Sequence, residues 1–330
     1  MISEQWKLLT EETDEMARNA YADGTKRNLL VQWNTYISYC SYFGIRDRMP
    51  ASREVICNYI TLLARGMQSP DSIRNYVSGI KSMHTLTGKD TSGFEDIKVS
   101  LVLKGVAKHL KHKKKQAEPM NPGLLVGFGS VGKEEVHLVS WTACLIAFFM
   151  MMRKSNLVPD SAKAFDRSKQ LVRGDIEVGE HSLMVCCKWS KTNQDGTETY
   201  SIPISAHPEQ RICPVKAYKA MVEKIPGKSD QPAFMVRKGK KVKSLSYRKW
   251  QDTLRSWLSA IGEDPTIFSS HSFRRGGATW AFQCQVPGEM IQTMGDWKSD
   301  YYKQYLQFPF ESRIQASVRM TQGSSGQGHF

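Results

Sequence analysis

Residues 269–280 read SSHSFRRGGATW and residues 295–306 read GDWKSDYYKQYL. Ser269 or Ser270 supplies the side-chain acceptor that a helix N-cap needs, so a helix is predicted to begin near His271. On that helix His271 and Arg274 stand three apart on one face, where an imidazole and a guanidinium can converge on one anion. Further on, Met294-Gly295 ends a second helix, Trp297 falls in the turn, and Ser299 caps a final helix carrying Tyr301, Tyr302 and Tyr305. Tyr301 and Tyr305 share a face of it. Taken singly, most such polar residues pair or face water, and most such tyrosines pack in a core. Together they outline one anion-binding pair beside a set of phenols.

Upstream, an apolar run from Trp141 to Met152 is broken by one Thr. It is far shorter than the ~20 residues a bilayer span requires and predicts a buried helix over about 136–153. Arg153 follows it in FFMMMRKSNLVP. The segments HSLMVCCKWS and TETYSIPI lie on either side of the turn signal Asp195-Gly196 and read as antiparallel strands, with Lys191 in WSKTNQ beside the hairpin. Helical spacing returns from about 246. In the first third, TKRNLLVQWNTYISYCSYFG places Leu29, Trp33, Tyr36, Ile37, Tyr39 and Cys40 on a broad stripe, and SIRNYVSGIKSMHTLTG repeats the pattern, which predicts a small helical bundle. The joint LKGVAKHLKHKKKQAEPMNPG runs into Pro119, Pro122 and Gly123, residues that stop helices. A boundary near residue 118 gives a helical domain 1–118 and a mixed domain 119–330. The fold class is mainly α with a small antiparallel β-sheet.

The chain has 330 residues, enough for two domains with cores of their own, and 46 Lys and Arg against 32 Asp and Glu give a net charge of +14. That surplus points to a polyanionic partner, with nucleic acid ahead of an anionic membrane surface. It concentrates at the joint: residues 101–118 carry 6 basic side chains and 1 acidic one. Lys108, Lys111, Lys113, Lys114 and Lys115 there, with Lys240, Lys241 and Lys243 in a stretch that lacks acidic residues from 231 to 251, are the candidate phosphate contacts. Lysines of this kind release counterions on binding and make affinity fall steeply with salt. Either basic stretch also reads as a nuclear-import signal. The acidic start MISEQWKLLTEETDE lacks the pattern of a secretory signal. Seven cysteines without a CxxC pair or zinc spacing fit a reducing compartment and no structural metal, and the short apolar run argues against a membrane partner.

The ordered series Arg153, Lys191, His271, Arg274, Trp297 and Tyr305 resembles the tyrosine recombinase family of phage-integrase type. That family presents along its chain an Arg, a Lys on a β-hairpin, a His-x-x-Arg, a His or Trp, and a nucleophilic Tyr. The wording RKSNL, WSKTN, HSFRRGGAT and GxWKSDxYxxY is similar to the recombinases of eukaryotic mobile elements of the Crypton and DIRS type. The resemblance spans about residues 20–315. It implies an N-terminal helical core-binding (SAM-like) domain and a C-terminal catalytic domain that form a C-shaped clamp on double-stranded DNA, as a dimer on a site and a tetramer in synapsis, within the nucleus and without a cofactor.

The resemblance also implies roles. Tyr305, eight residues after Trp297, would attack a phosphodiester and store its energy as a phosphotyrosine. Arg153 and Arg274 would hold the non-bridging oxygens through paired hydrogen bonds. Lys191 would protonate the leaving 5′ oxygen, His271 would assist the phenol or bind a phosphate oxygen, and Trp297 would pack against the site wall. Tyr301 stands as the reserve nucleophile. Many members carry a carboxylate three residues after the first Arg, where this chain has Asn156, so either Asp160 substitutes or the site is organised differently. Two other functions fit the same features: a domesticated DNA-binding regulator that no longer cuts, and a monomeric topoisomerase using the same chemistry.

Overall fold

Serine, asparagine and aspartate caps set many of the helix starts in this chain. The computed structural model describes residues 2–112, 116–132, 134–190, 193, 199–207, 209–239, 241–306 and 310–323. It divides into two units, Met1–Lys115 and Gln116–Phe330.

The first unit is helical throughout: α1 (Ile2–Asn19), α2 (Asp23–Tyr42), α3 (Arg53–Gly66), α4 (Pro70–Leu86), α5 (Ser92–Glu95) and α6 (Ile97–Leu110). Ser52, Ser69 and Asp96 accept backbone N–H bonds in the first turns of α3, α4 and α6, and Pro70 opens α4 where its missing N–H costs nothing. Tyr36, Tyr39 and Cys40 of α2 are buried against Ile56, Tyr59 and Ile60 of α3, Ile73 and Ile80 of α4 and Val99 of α6. Trp33 and Ile37 pack at the edge of that core, so the stripe read from the sequence is the buried face. His84 is fully buried. Its Nε2 accepts from Ala51 N–H at 2.9 Å, which leaves Nδ1 protonated to donate to the Ile80 carbonyl at 2.8 Å. This histidine is a structural fastener.

The second unit is built around one helix. In order it contains α7 (Pro122–Val131), α8 (Glu135–Phe149), α9 (Lys154–Leu157), β1 (Ile176–Val178), β2 (Ser182–Cys187), β3 (Tyr200–Ser205), α10 (Pro214–Lys224), β4 (Met235–Lys238), β5 (Lys241–Ser244), α11 (Tyr247–Ala260), α12 (Ser270–Gln283), α13 (Gly288–Met294), a 3-10 helix (Asp300–Tyr305) and α14 (Phe310–Gly323). α8 is apolar on nearly all sides and buries Val139, Ala143, Leu145, Ile146 and Phe148 among α7, α10, α11, α12 and β4. Each large aliphatic or aromatic side chain so covered contributes about 1.5–3 kcal/mol. β1, β2 and β3 form an antiparallel sheet in which Leu183, Val185, Cys187, Ile202 and Ile204 turn inward, and β4 with β5 makes a separate hairpin.

Two elements differ from the sequence expectation. α8 ends at Phe149, not 153, because Met151 adopts φ 50, a left-handed conformation that breaks the helix. The tyrosine segment is a 3-10 helix, not an α-helix, so its side chains repeat every three residues and Tyr302 becomes the buried one while Tyr301 is exposed.

α12 reaches the end of α8 only because of its glycines. A Cβ on Gly276 would lie 1.9 Å from the Met120 carbonyl oxygen, and one on Gly277 would lie 2.0 Å from that of Phe148. Backbone therefore packs on backbone, and Arg274, one turn earlier, arrives beside Met151.

Candidate active site

Three chain segments from distant parts of the sequence deliver the site: the turn after α8, the first two turns of α12, and the stretch from α13 through the 3-10 helix. Ser269 caps α12 as anticipated, accepting from His271 N–H at 3.2 Å, and Ser272 returns a bond from Ser269 N–H at 3.0 Å. Arg274 is buried in the second turn. Its Nη1 donates to the Met151 carbonyl at 2.5 Å, and its guanidinium lies 3.8 Å from the centre of the Trp297 ring. Nη2 is buried with no hydrogen-bond partner. A cationic N–H left dry in this way is costly unless an acceptor arrives.

Arg153 caps α9 and pairs with Asp296, Nη1 to Oδ2 at 3.1 Å, both side chains being largely buried. Burial, and next the charge of Arg153, push the Arg274 guanidinium down to about 9, against the opposing pull of Tyr305, Tyr200 and Asp296. It remains protonated at neutral pH, so the site holds two guanidiniums near enough to repel, and an anion bound beside them relieves that repulsion.

Tyr305 is half-buried. Its ring stands 5.8 Å from that of Trp297 and 5.7 Å, edge on, from that of Tyr301. Burial, then the neighbouring Tyr301, raise its pKa, while Arg274 and Arg153 pull it down, which places the phenol within electrostatic reach of both guanidiniums. Thr279, on α12, donates from Oγ1 to the Tyr305 carbonyl at 2.7 Å and ties the tyrosine segment to the helix that carries Arg274. Met151, Ala278, Ile291, Trp297 and Tyr302 form a small core of their own beneath these groups. Gly295 is what admits the indole: a Cβ there would lie 1.7 Å from the Trp297 ring.

Arg153, Arg274, Trp297 and Tyr305 are thus brought together. His271 lies one turn before Arg274 with an exposed side chain. Lys191 lies outside the described residues; Ser190 and Asn193, which flank it in sequence, exchange backbone hydrogen bonds of 3.0 and 3.2 Å. Lys108, Lys111, Lys241 and Lys243 are exposed, whereas Lys113, Lys114, Lys115 and Lys240 lie outside the described residues.

Asp160, the alternative raised by Asn156, is exposed and pairs with Lys154 at 2.9 Å. Asn156 is buried and donates from Nδ2 to the Trp189 carbonyl at 2.5 Å, two residues before Lys191 in the sequence. A carboxylate could not make that bond. Asn156→Asp, although it restores the common pattern, would set an anion against a carbonyl oxygen, and it is expected to lower the melting temperature by several degrees, corresponding to about 1–3 kcal/mol, in thermal unfolding followed by circular dichroism.

Sequence reasoning missed three participants. Asp296 is the carboxylate that serves Arg153; the visible signal was an acidic residue set between Gly295 and Trp297 in an otherwise cationic site. The Met151 carbonyl and Thr279 gave no signal, since one is backbone and the other a common helix residue. Met151 and Asp296 both hold left-handed backbone, at φ 50 and 51, a conformation that costs Met151 roughly 1–2 kcal/mol and that an aspartate adopts more readily. Among the described residues no His, Cys, Asp and Glu group could hold a metal ion, and no helix is long and apolar enough to cross a membrane.

No family model matches the chain. It is 24% identical over 292 residues to an integrase/recombinase xerD homolog of Selenomonas ruminantium, a match covering 84% of this chain and 80% of that protein. Among solved structures it is similar to the Tn1549 transposon integrase in complex with transposon right-end DNA, at 12% identity and a TM-score of 0.59, covering 92% of this chain and 96% of that one. The XerH site-specific recombinase bound to its difH substrate matches at 15% identity and a TM-score of 0.55, over 93% of this chain and 82% of that one. A lambda integrase dimer bound to a COC′ core site matches at 14% and 0.53, over 90% and 75%. The chain has the fold of the tyrosine recombinase and integrase family, and its sequence is similar to that of a recombinase homolog.

Proposed function

We propose that this protein is a site-specific DNA recombinase that cleaves and rejoins duplex DNA through a covalent 3′-phosphotyrosine. The observation that carries the reading is the buried Arg274 guanidinium, which keeps one N–H edge without a partner beside Arg153 and within electrostatic reach of the Tyr305 phenol. A phosphodiester supplies what this arrangement lacks: an anion with two non-bridging oxygens, set next to a nucleophile.

The reaction then follows from the residues. The Tyr305 oxygen attacks phosphorus, the new O–P bond forms as the bond to the 5′ oxygen breaks, and the phenolic proton leaves toward His271 or solvent. Negative charge gathers on the non-bridging oxygens, where Arg274 and Arg153 stabilise it more strongly than in the ground state. Lys191 gives its proton to the departing 5′ oxygen. One ester replaces another, so resealing runs the same steps backward with no outside energy source. Trp297 holds the Arg274 guanidinium in place by stacking on its flat face, which makes no hydrogen bonds.

The wording of the motifs favours a recombinase of a mobile element of the Crypton or DIRS type, acting as a transposase or integrase in the nucleus. Its working form would be a dimer on one site and a tetramer in synapsis, with the exposed Lys108, Lys111, Lys241 and Lys243 among its phosphate contacts. The test is to incubate the protein with a nicked duplex that prevents religation, denature it, and sequence both the nucleotide-bearing peptide and the attached DNA. The expected peptide contains Tyr305 joined to a 3′ phosphate. DNA binding without any adduct would instead support a non-cutting regulator, and supercoil relaxation by a monomer would support a topoisomerase.

A further inference from the structure

The site already holds an anion of its own. Asp296 and Trp297 are consecutive residues in the turn after α13, fixed by bonds from Asp296 N–H to the Thr293 carbonyl at 3.1 Å and from Trp297 N–H to the Gln292 carbonyl at 3.0 Å. That turn serves the two guanidiniums in different ways. Trp297 covers the flat face of Arg274 and leaves an N–H edge open, whereas Asp296 occupies an N–H of Arg153 at 3.1 Å. The carboxylate therefore sits on one of the cations that a bound phosphate would need.

We infer, on the reading of the site as a phosphodiester site, that Asp296 is its resident counter-ion, holding Arg153 while the site is empty and exchanged for a non-bridging phosphate oxygen when DNA enters. Arg274 is buried and Arg153 lies near enough to repel it, and a carboxylate beside them offsets that repulsion. Once a phosphate arrives, Arg153 would lie between two anions at close range, and these repel in turn. The carboxylate becomes a competitor built into the chain. Competition weakens every anion that binds through one phosphate-like group, such as free phosphate or sulfate. A duplex, held at many other phosphates, overcomes it. The consequence is selectivity: the catalytic pocket stays closed to small anions and opens to DNA.

The test uses the full chain with sulfate as probe, first without DNA for binding and then with a nicked duplex for adduct yield. Asp296→Asn removes the charge, keeps the shape, and tolerates the left-handed backbone; Asp296→Gly tolerates it also and carries the test if the first variant lacks a cooperative unfolding transition. Sulfate affinity is read from the rise in unfolding temperature with sulfate at constant ionic strength. Either folded variant is expected to bind sulfate about tenfold more tightly than the wild type, and the sulfate concentration that halves covalent adduct yield should fall by about the same factor. Unchanged or weaker sulfate binding in a folded variant, with a wild type that forms the Tyr305 adduct, would overturn the counter-ion role alone. A wild type that neither forms the adduct nor binds sulfate would overturn the phosphodiester reading beneath it.

Discussion

Tyr305→Phe is expected to abolish covalent capture of DNA, a loss of about 10⁴-fold or more in single-turnover assays, while duplex affinity and melting temperature stay close to wild type. The substitution removes one oxygen and leaves the ring in its place beside Trp297. Tyr301→Phe separates the candidates. Tyr301 is exposed, and it raises the Tyr305 pKa, so its replacement should leave adduct formation intact. Tyr302 is buried beside Trp297, and its loss should be read in stability. The pH dependence follows from the raised pKa of Tyr305. The phenol is protonated at neutral pH, and the adduct rate should climb with pH beyond the ordinary tyrosine value of about 10. Because the folded-state pKa is the higher one, the linked stability is complete below the unfolded value and is lost as pH rises through the folded one. An adduct rate that is flat from neutral pH upward would mean that loss of this proton does not limit the step.

What the sequence made legible was local, and what it hid was long-range. The helix start at Ser269, the helix end at Gly295 and the cap at Ser299 are decided within a few residues, and each stands where reading placed it. The apolar stripe of α2 was legible for the same reason. The end of α8 was not. Met150, Met151 and Met152 are good helix formers, and nothing beside them forces a stop; the left-handed Met151 is fixed by a carbonyl that receives Arg274 from 123 positions away. The 3-10 winding of the tyrosine segment is likewise a tertiary outcome, set by Tyr302 entering the small core and by Thr279 holding the Tyr305 carbonyl. Asp296 belongs to the same class: its partner lies 143 residues earlier, and adjacency to Trp297 in the chain says nothing about which cation each will meet. Asn156 shows the limit of reading by resemblance. Its departure from the common carboxylate was visible, but its use as a donor to the Trp189 carbonyl was not.

Arg274→Lys should cut the single-turnover rate of adduct formation by about 10²–10³-fold with little change in duplex affinity, a split that charge alone does not explain. The substitution keeps a cation, so the long-range attraction for DNA persists, and most of the affinity comes from other phosphate contacts. What it loses is shape. The guanidinium does three things at once: Nη1 holds the Met151 carbonyl, its face rests on Trp297, and Nη2 remains free for a ligand. An ammonium is a single compact centre and cannot satisfy a carbonyl on one edge while presenting a planar, pre-aimed donor on the other. Lys at this position must choose. If it keeps Met151, the phosphate loses a donor where transition-state charge is greatest; if it turns to the phosphate, the left-handed turn before Arg153 loses the bond that fixes it. Both routes lower the rate, but only the second loosens the fold, so melting temperature distinguishes them. Sulfate should raise the wild-type melting temperature more than that of the variant, because the guanidinium at 274 keeps a buried N–H at a cost that a small anion offsets, whereas a duplex, held at many other phosphates, should raise both alike. A variant that cleaves at the wild-type rate would show that the second guanidinium acts by charge and not by its fork.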